Sequence, residues 1–138
     1  MSRYGDLHEG DEIPSLELKP GLGMAIRYCA IGWVFPPIFF DVEAAHAQGM
    51  PGMMVPGPLK LGFLYRAVEE WLGDGGFVRH VRAAHRRPDL QGRTITVTGR
   101  VARLYEEEGS HRADIELAVV NDEGQQSVRG FASVQFFD

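Results

Sequence analysis

The stretch LKLGFLYRAVEEWL, residues 59–72, carries the strongest periodic pattern in the chain and decides the fold prediction. Its apolar side chains recur at intervals of three and four residues, as on one face of an amphipathic helix. They are Leu59, Phe63, Leu64, Ala67, Val68, Trp71 and Leu72. Pro58 suits the first turn of a helix, and Gly73, which begins the sequence GDGG, suits its end. The pattern predicts one long helix of about 14 residues that is buried on one face.

Downstream of this helix the apolar pattern changes to a period of two, which is typical of strands. Four strands are predicted in succession, at residues 77–85, 93–107, 111–122 and 124–138, with polar turns such as EEEGS and NDEG between the last three. Gly99 within the second of these strands predicts a bend or a bulge. The order of elements indicates an α+β fold in which a curved antiparallel sheet wraps the long helix.

The residues before the long helix give strand, helix and loop signals in turn. SLELKP, residues 15–20, alternates as an edge strand does, and MAIRYCAIGW, residues 24–33, is interpreted as a short helix rather than a buried strand. Asp41 is suited to cap a second short helix over residues 42–49, which ends in a glycine. The prolines and glycines of MPGMMVPG, residues 50–57, exclude a continuous helix there.

Length and composition favour one globular domain spanning residues 1–138. The chain has 44% hydrophobic and 24% charged residues, and no apolar run approaches the roughly 20 residues of a membrane span. The first residues lack the pattern of a signal peptide, so we expect a cytoplasmic protein that does not bind membranes. The net charge of −5 argues against nucleic-acid binding. Cys29 is the one cysteine and is interpreted as a buried core residue, and no Cys or His spacing predicts a metal site.

Residues 34–64, VFPPIFFDVEAAHAQGMPGMMVPGPLKLGFL, resemble the MaoC-like dehydratases, a family of hotdog fold that includes (R)-specific enoyl-CoA hydratases. The motif of that family is Asp-x-Asn-Pro-x-His-x-Asp, followed by a glycine that begins the central helix. Pro37 matches the proline, Asp41 the final aspartate and Gly57 the glycine. RRPDLQGRTITVTGRV, residues 86–101, resembles a strand region of the same family. The resemblance covers nearly the whole chain and implies a hotdog fold, a curved antiparallel sheet around one central helix.

In this register both catalytic residues of the family are replaced. Val34 stands at the position of the catalytic Asp, Pro36 at that of the Asn, and Phe39 at that of the catalytic His. Hydration of an enoyl thioester needs groups that move protons, and neither valine nor phenylalanine has a titratable atom. Acid–base catalysis typically contributes about 100- to 10,000-fold, so the resemblance implies a very poor hydratase unless other residues act.

Four other residues are candidates for a direct role in chemistry. The N–H of Gly57, at the start of the long helix, is a candidate donor to a thioester carbonyl, although this glycine equally suits a turn before a proline. His46, His80 and His85 are weak candidates for proton transfer, and the alternative is that each is an ordinary surface histidine.

The binding candidates are apolar and basic. Phe35, Phe39, Phe40, Met50, Met53 and Met54 are interpreted either as core or as an adaptable wall for an apolar ligand. Asp41 is a candidate substrate contact, although a capping role is the favoured interpretation. Lys60, Arg86 and Arg87 are candidates for contacting the phosphates of CoA, and the alternative for the whole stretch RHVRAAHRR, residues 79–87, is a solvated face.

The resemblance implies a protein that binds an acyl thioester, carried by CoA or by an acyl carrier protein, and that needs no cofactor. The favoured hypothesis is an accessory subunit without its own catalysis. It would form a homodimer, or a heteromer with a MaoC-like subunit that carries the catalytic Asp and His (a dyad-bearing subunit). A steroid or branched acyl group would suit its apolar pocket. The alternative is an enzyme on an acyl or polyketide-like substrate, a hydratase, thioesterase, cyclase or isomerase that uses residues other than the usual dyad. A third hypothesis is a homodimer that binds or scaffolds without thioester chemistry.

Overall fold

The chain folds into a five-stranded antiparallel sheet and three α-helices, in a computed structural model that describes residues 4–137. The helices are α1 (Leu22–Gly32), α2 (Val42–Ala47) and α3 (Gly57–Leu72). The strands are β1 (Glu12–Leu18), β2 (Gly76–His85), β3 (Ile95–Glu107), β4 (Ser110–Asn121) and β5 (Gln126–Phe136). Their order in the sheet is β1-β3-β4-β5-β2, so β1 and β2 form the two edges. Within residues 4–137 no helix is both long and apolar enough to cross a membrane.

The predicted long helix is α3, and it begins at Gly57, two residues before the predicted start. Pro58 is the second residue of the helix, where an N–H would have no intrahelical acceptor. Six of the seven apolar residues that defined the pattern are buried, and Leu59 packs partly buried against the same core. The helix ends as predicted at Gly73, whose φ of +54° lies in the region that favours glycine.

The inner face of the sheet supplies the other half of the core. Alternate residues along β4 and β5 are buried, as the period of two predicted; they are Ala113, Ile115, Leu117 and Val119 on β4, with Val128, Ala132, Val134 and Phe136 on β5. Each of the four strands after the helix starts and ends within two residues of its predicted bounds. The predicted α+β arrangement of one long helix against an antiparallel sheet is therefore confirmed.

The bend or bulge predicted at Gly99 lies beside this residue rather than at it. Gly99 pairs with Ile13 on β1 and with Leu117 on β4, and the register shifts follow next to it, between Ile13 and Leu16 on β1 and between Val101 and Arg103 on β3. A Cβ on Gly99 would lie 2.7 Å from Cδ2 of Leu117 and 2.9 Å from Cδ1 of Ile13. The glycine is needed because these two side chains occupy the space in which its own side chain would lie.

The two short helices before α3 were also predicted, and the capping role of Asp41 is confirmed. Its Oδ1 accepts hydrogen bonds from the N–H groups of Glu43 at 3.0 Å and Ala44 at 3.3 Å, at the start of α2. The helix α2 ends at Ala47 rather than at Gly49, which has a φ of +80° and lies in the following turn. Asp41 thus satisfies two backbone donors that the first turn leaves without intrahelical partners.

The aromatic segment between α1 and α2 faces outwards, so the core interpretation is wrong for two of its residues. Phe35 is 48% exposed and Phe40 is 38% exposed, while Trp33 is 81% exposed. Trp33 follows the last turn of α1 with a φ of 51°, and its ring meets that of Phe35 edge to face at 5.1 Å. Cys29 is buried as expected, on the inner face of α1.

Candidate functional site

A pocket of about 360 Å³ lies at the N-terminal end of α3, between that helix, the end of β2 and the loop that follows β2. Apolar side chains from the segment before α3 form one part of its wall, and basic side chains around the end of β2 form another. The lining residues are Phe39, Met50, Met54, Val55, Gly57, Lys60, His85, Arg86, Arg87 and Pro88. The fold thus assembles in one place most of the binding candidates that the sequence suggested separately.

His85 reaches this pocket because the register of the sheet turns its side chain inwards. It is the last residue of β2 and pairs with Val128 of β5, which is fully buried on the inner face. Directly paired residues of antiparallel strands have their side chains on the same face. A Cβ placed on Gly57 would lie 3.5 Å from both Cε1 and Nε2 of His85, so the imidazole covers the first residue of α3.

Lys60 and Asp89 form a buried ion pair beside the pocket. The distance from Nζ to Oδ2 is 3.0 Å, and the two residues are only 2% and 3% exposed. Lys60 also donates to the carbonyl oxygen of Arg87 at 3.2 Å, and the N–H of Val55 donates to the carbonyl of Asp89 at 2.8 Å. These contacts attach the loop after β2 to the helix and to the segment that precedes it. The Lys60 ammonium is therefore held inside the protein rather than extended into solvent.

The surroundings of His85 favour its neutral form. Burial lowers the pKa of His85 below its ordinary value of 6.5, and the positive charge of Lys60 lowers it further. The carboxylate of Asp89 raises the pKa, but this effect is the smallest of the three. At neutral pH the ring is therefore mostly uncharged and has one nitrogen with a lone pair that can accept a proton.

Gln91 binds the two segments that supply the apolar part of the pocket wall, those of Phe39 and Met54. No sequence pattern indicated this role. Its Nε2 donates to the carbonyl oxygen of Phe39 at 2.7 Å and to that of Met54 at 2.8 Å, while its N–H donates to the carbonyl of Met53 at 2.9 Å. The two side-chain contacts span 52 and 37 residues of sequence. Because these partners are distant in the chain, local periodicity carries no signal for them.

Several predicted site residues do not line the pocket. Val34 is 42% exposed and lies with Phe35 in the outward-facing segment, so of the two dyad positions that the resemblance predicts, Phe39 lines the pocket and Val34 does not. Met53 contributes its backbone carbonyl to Gln91 while its neighbour Met54 faces the pocket. The carboxylate of Asp41 is engaged in capping α2.

The other two candidate histidines lie elsewhere. His46 is exposed in the last turn of α2. His80 pairs with Ser133, and the next residue, Val81, pairs with Ala132, which is buried on the inner face. Because successive side chains of a strand point to opposite faces, His80 points to the outer face of the sheet. Within residues 4–137 no group of three or more His, Cys, Asp or Glu side chains is arranged to hold a metal ion.

The basic stretch 79–87 is divided between two surfaces. Arg79 donates to Oε1 of Gln135 at 2.7 Å, and the guanidinium of Arg82 lies 4.5 Å from the centre of the Phe131 ring on the outer face of the sheet. Arg86 and Arg87 are exposed at the pocket, and neither makes an ion pair in the part of the chain that the structure describes. These last two therefore remain available to an anion.

A five-stranded antiparallel sheet in the order β1-β3-β4-β5-β2, packed on one long helix, defines a hotdog protein. Among solved structures, the chain is similar to the (R)-hydratase from A. caviae involved in PHA biosynthesis, with a TM-score of 0.87 and 20% identity over 96% of this chain and 98% of that one. It is also similar to a chain of the ChsH1-ChsH2 complex from Mycobacterium tuberculosis, with a TM-score of 0.84 and 18% identity over 94% and 98% of the two chains.

A third similar structure is the MaoC-like dehydratase from Rhodospirillum rubrum, with a TM-score of 0.81 and 20% identity over 96% of this chain and 94% of that one. Identities this low establish a common fold, and the hotdog fold implied by the sequence resemblance is confirmed. No family model and no curated protein sequence matches the chain.

Proposed function

We propose that this chain binds an acyl thioester in the pocket at the start of α3 and acts as an accessory subunit of an enoyl-thioester hydratase assembly. The observation that carries this proposal is the placement of Phe39, Met50 and Met54 in one pocket with Gly57, the first residue of α3. The apolar side chains suit an acyl chain. The first-turn N–H groups of the helix, which lack intrahelical acceptors, suit a thioester carbonyl.

The accessory role is supported by the groups that the pocket lacks. In the register of the MaoC-like dehydratases, the catalytic Asp and His correspond to Val34 and Phe39. No carboxylate is found among the described residues that line the pocket. A pocket without an acid–base pair supports binding and shaping of the substrate, while a partner subunit provides the catalytic residues.

The edge strand β2 offers a surface for that partner. Its ten residues are hydrogen-bonded to β5 on one side and form the edge of the sheet on the other. Edge strands present N–H and C=O groups that pair readily with another chain. Phe77 of this strand and Phe137, which follows β5, are 42% and 61% exposed on the outer face of the sheet, with their ring centres 5.9 Å apart. We therefore propose pairing along β2 with a dyad-bearing hotdog subunit. The similar chain of the ChsH1-ChsH2 complex is itself part of a complex, which supports a heteromer in general terms.

Arg86 and Arg87 are the proposed contacts for the phosphate end of a CoA carrier. Both are exposed where the pocket opens, and guanidinium groups bind phosphate oxygens in pairs. Lys60 has a different role in this proposal, because its ammonium is bound to Asp89 and to the carbonyl of Arg87. It holds the loop that presents the two arginines.

Calorimetric titration with a saturated acyl-CoA tests the binding site. In Gly57→Val the added methyl groups would enter the space where the His85 ring already lies 3.5 Å from the Cβ position, so we expect the affinity to fall about tenfold or more. Gly62→Val is the matched control, since Gly62 lies on the same helix and has no atom within 4 Å of its Cβ position. Absence of binding by the wild-type chain would refute the proposal, and equal affinity in both variants would remove Gly57 from the site.

A hydration assay with short, long and steroid-like enoyl-CoA substrates, combined with the native mass, tests the accessory role. We expect negligible hydration by the chain alone and hydration when a dyad-bearing hotdog partner is co-expressed and co-purified with it. Robust hydration of crotonyl-CoA by the chain alone would exclude the accessory role. A stable homodimer that binds acyl-CoA without turnover would replace the heteromer by a self-paired binding protein.

A further inference from the structure

His85 has no part in the accessory role, yet it lines the proposed site. Its ring lies against Gly57, where the thioester carbonyl is proposed to bind, and it lines the same pocket as Phe39 and Met54. Neither ring nitrogen has a hydrogen-bond partner among residues 4–137. Because the side chain is exposed at the end of β2, both nitrogens are accessible to water or to a bound molecule.

The charges around His85 favour its neutral form, which is the form that acts as a base. Lys60, Arg86 and Arg87 line the pocket with it, while the nearest acid, Asp89, is bound to Lys60 at 3.0 Å. A positive environment disfavours the imidazolium and so leaves the ring able to accept a proton.

One isolated base suits a different reaction from hydration. Hydration adds water across a double bond, so a proton must be taken from water and another delivered to the α-carbon. A 1,3-proton shift requires only that one group remove a proton and return it to a carbon two positions away. In a thioester with a β,γ double bond the α-proton is acidified by both the carbonyl and the alkene, which makes it a suitable proton for a neutral imidazole.

We propose that His85 is the catalytic base of an isomerase activity that converts β,γ-enoyl thioesters into α,β-enoyl thioesters in this pocket. The inference rests on the proposed binding of a thioester carbonyl at the start of α3. The product is the conjugated thioester that hydratases consume, so a dyad-bearing partner subunit would receive its substrate from this chain.

The step balances without a cofactor or an oxidant. The free nitrogen of His85 takes the α-proton, the C–H electron pair forms a double bond to the carbonyl carbon, and the carbonyl π electrons move to oxygen. The oxyanion then re-forms the carbonyl, the new double bond shifts to the α,β position, and the former β,γ π pair takes the proton from the imidazolium at the γ-carbon. No water is consumed, no group leaves, and the oxidation state of the substrate as a whole is unchanged.

The test uses 3-hexenoyl-CoA at saturating concentration and follows the absorbance of the conjugated product, whose identity is checked by NMR. We expect turnover by the wild-type chain and a loss of about 100-fold or more in His85→Gln, the lower range for removal of a general base. His80→Gln is the matched control, because His80 lies on the opposite face of the same strand. His85 is exposed at the strand end, so its replacement leaves the buried core intact. Circular dichroism of the variant checks this.

The outcomes separate this inference from the proposed function. Turnover that is lost in His85→Gln and retained in His80→Gln supports the isomerase role. A wild-type chain that binds a saturated acyl-CoA but does not isomerise 3-hexenoyl-CoA overturns the role of His85 and leaves the binding function standing. Equal rates in wild type and His85→Gln also overturn it. If the wild-type chain binds no acyl-CoA, the proposed function and this inference fail together.

Discussion

Replacing Lys60 with methionine should destabilise the protein strongly, because it leaves the carboxylate of Asp89 buried without its partner. The two residues are 2% and 3% exposed, and their charged atoms are 3.0 Å apart. Removing one member of a buried ion pair typically costs about 3–5 kcal/mol of unfolding free energy. Since small domains have total stabilities of about 5–15 kcal/mol, the single variant should lose a large fraction of its stability.

The double variant Lys60→Met/Asp89→Leu should recover most of that loss. Apolar replacements of similar volume for a whole buried pair are often neutral, so we expect the double variant to lie within about 1 kcal/mol of the wild type. The carbonyl of Arg87, which also accepts from Lys60 at 3.2 Å, belongs to an exposed residue and can bind water instead. The single change should therefore be more damaging than the double change.

Urea denaturation followed by circular dichroism measures these differences. With a slope of about 2 kcal/mol per molar urea, a loss of about 4 kcal/mol lowers the midpoint by about 2 M. Arg66→Met is the matched control on the same helix. Arg66 pairs with Glu70 at 2.8 Å, but these side chains are 51% and 57% exposed, so the change should cost only about 0.5 kcal/mol. A Lys60→Met midpoint close to that of Arg66→Met would show that the buried pair does not hold the fold together. A double variant no more stable than Lys60→Met would show that the unpaired carboxylate is not the cause of the loss.

Three further predictions concern backbone packing, helix capping and pH. Gly76→Ala should lower the free energy of unfolding by about 1–3 kcal/mol, because the new Cβ would lie 2.3 Å from the carbonyl oxygen of Gln135. Gly62→Ala, in open space on α3, should raise it by about 0.5–1 kcal/mol. Equal urea midpoints for the two variants would contradict this. Asp41→Ala should cost about 1 kcal/mol by removing the cap of α2, and Asp41→Asn should cost less, which thermal melts can compare. Burial and the charge of Lys60 lower the pKa of His85 in the folded protein below 6.5. As the pH falls, His85 is therefore protonated in the unfolded chain before it is protonated in the folded one. The free energy of unfolding should decrease from about pH 6.5 down to the pKa of the folded state. NMR titration of His85 should give a pKa below 6.5, and a value above it would reverse the predicted sign.

The elements of the fold were largely predictable because their signals are local. Burial of one face of α3 produces the helical spacing of residues 59–72, and the half-buried strands after it produce a period of two. The cap at Asp41 depends on hydrogen bonds to residues two and three positions away. The need for glycine at position 99 was not predictable in the same way, because it comes from side chains on two neighbouring strands.

The site itself was only partly predictable. The resemblance pointed to Phe39 and Gly57, which do line one pocket, but it placed Val34 beside them, and Val34 lies outside the lining. His80 and His85 are five residues apart and so point to opposite faces of a strand. The faces are distinguished only by the pairing of β2 with β5, which turns His85 towards the helix.

The α+β class and the order of the elements followed from the sequence alone, because they depend on residue type and on spacing over a few positions. The replacement of proton-transfer residues at positions 34 and 39 stays a prediction from the family resemblance. Three contacts at the site depend instead on the folded chain: Lys60 is buried against Asp89, Gln91 binds the segments of Phe39 and Met54, and His85 covers the start of α3. Each of these contacts joins residues more than twenty positions apart. Such contacts follow from how the sheet registers and packs against the helix, and no local period encodes that geometry.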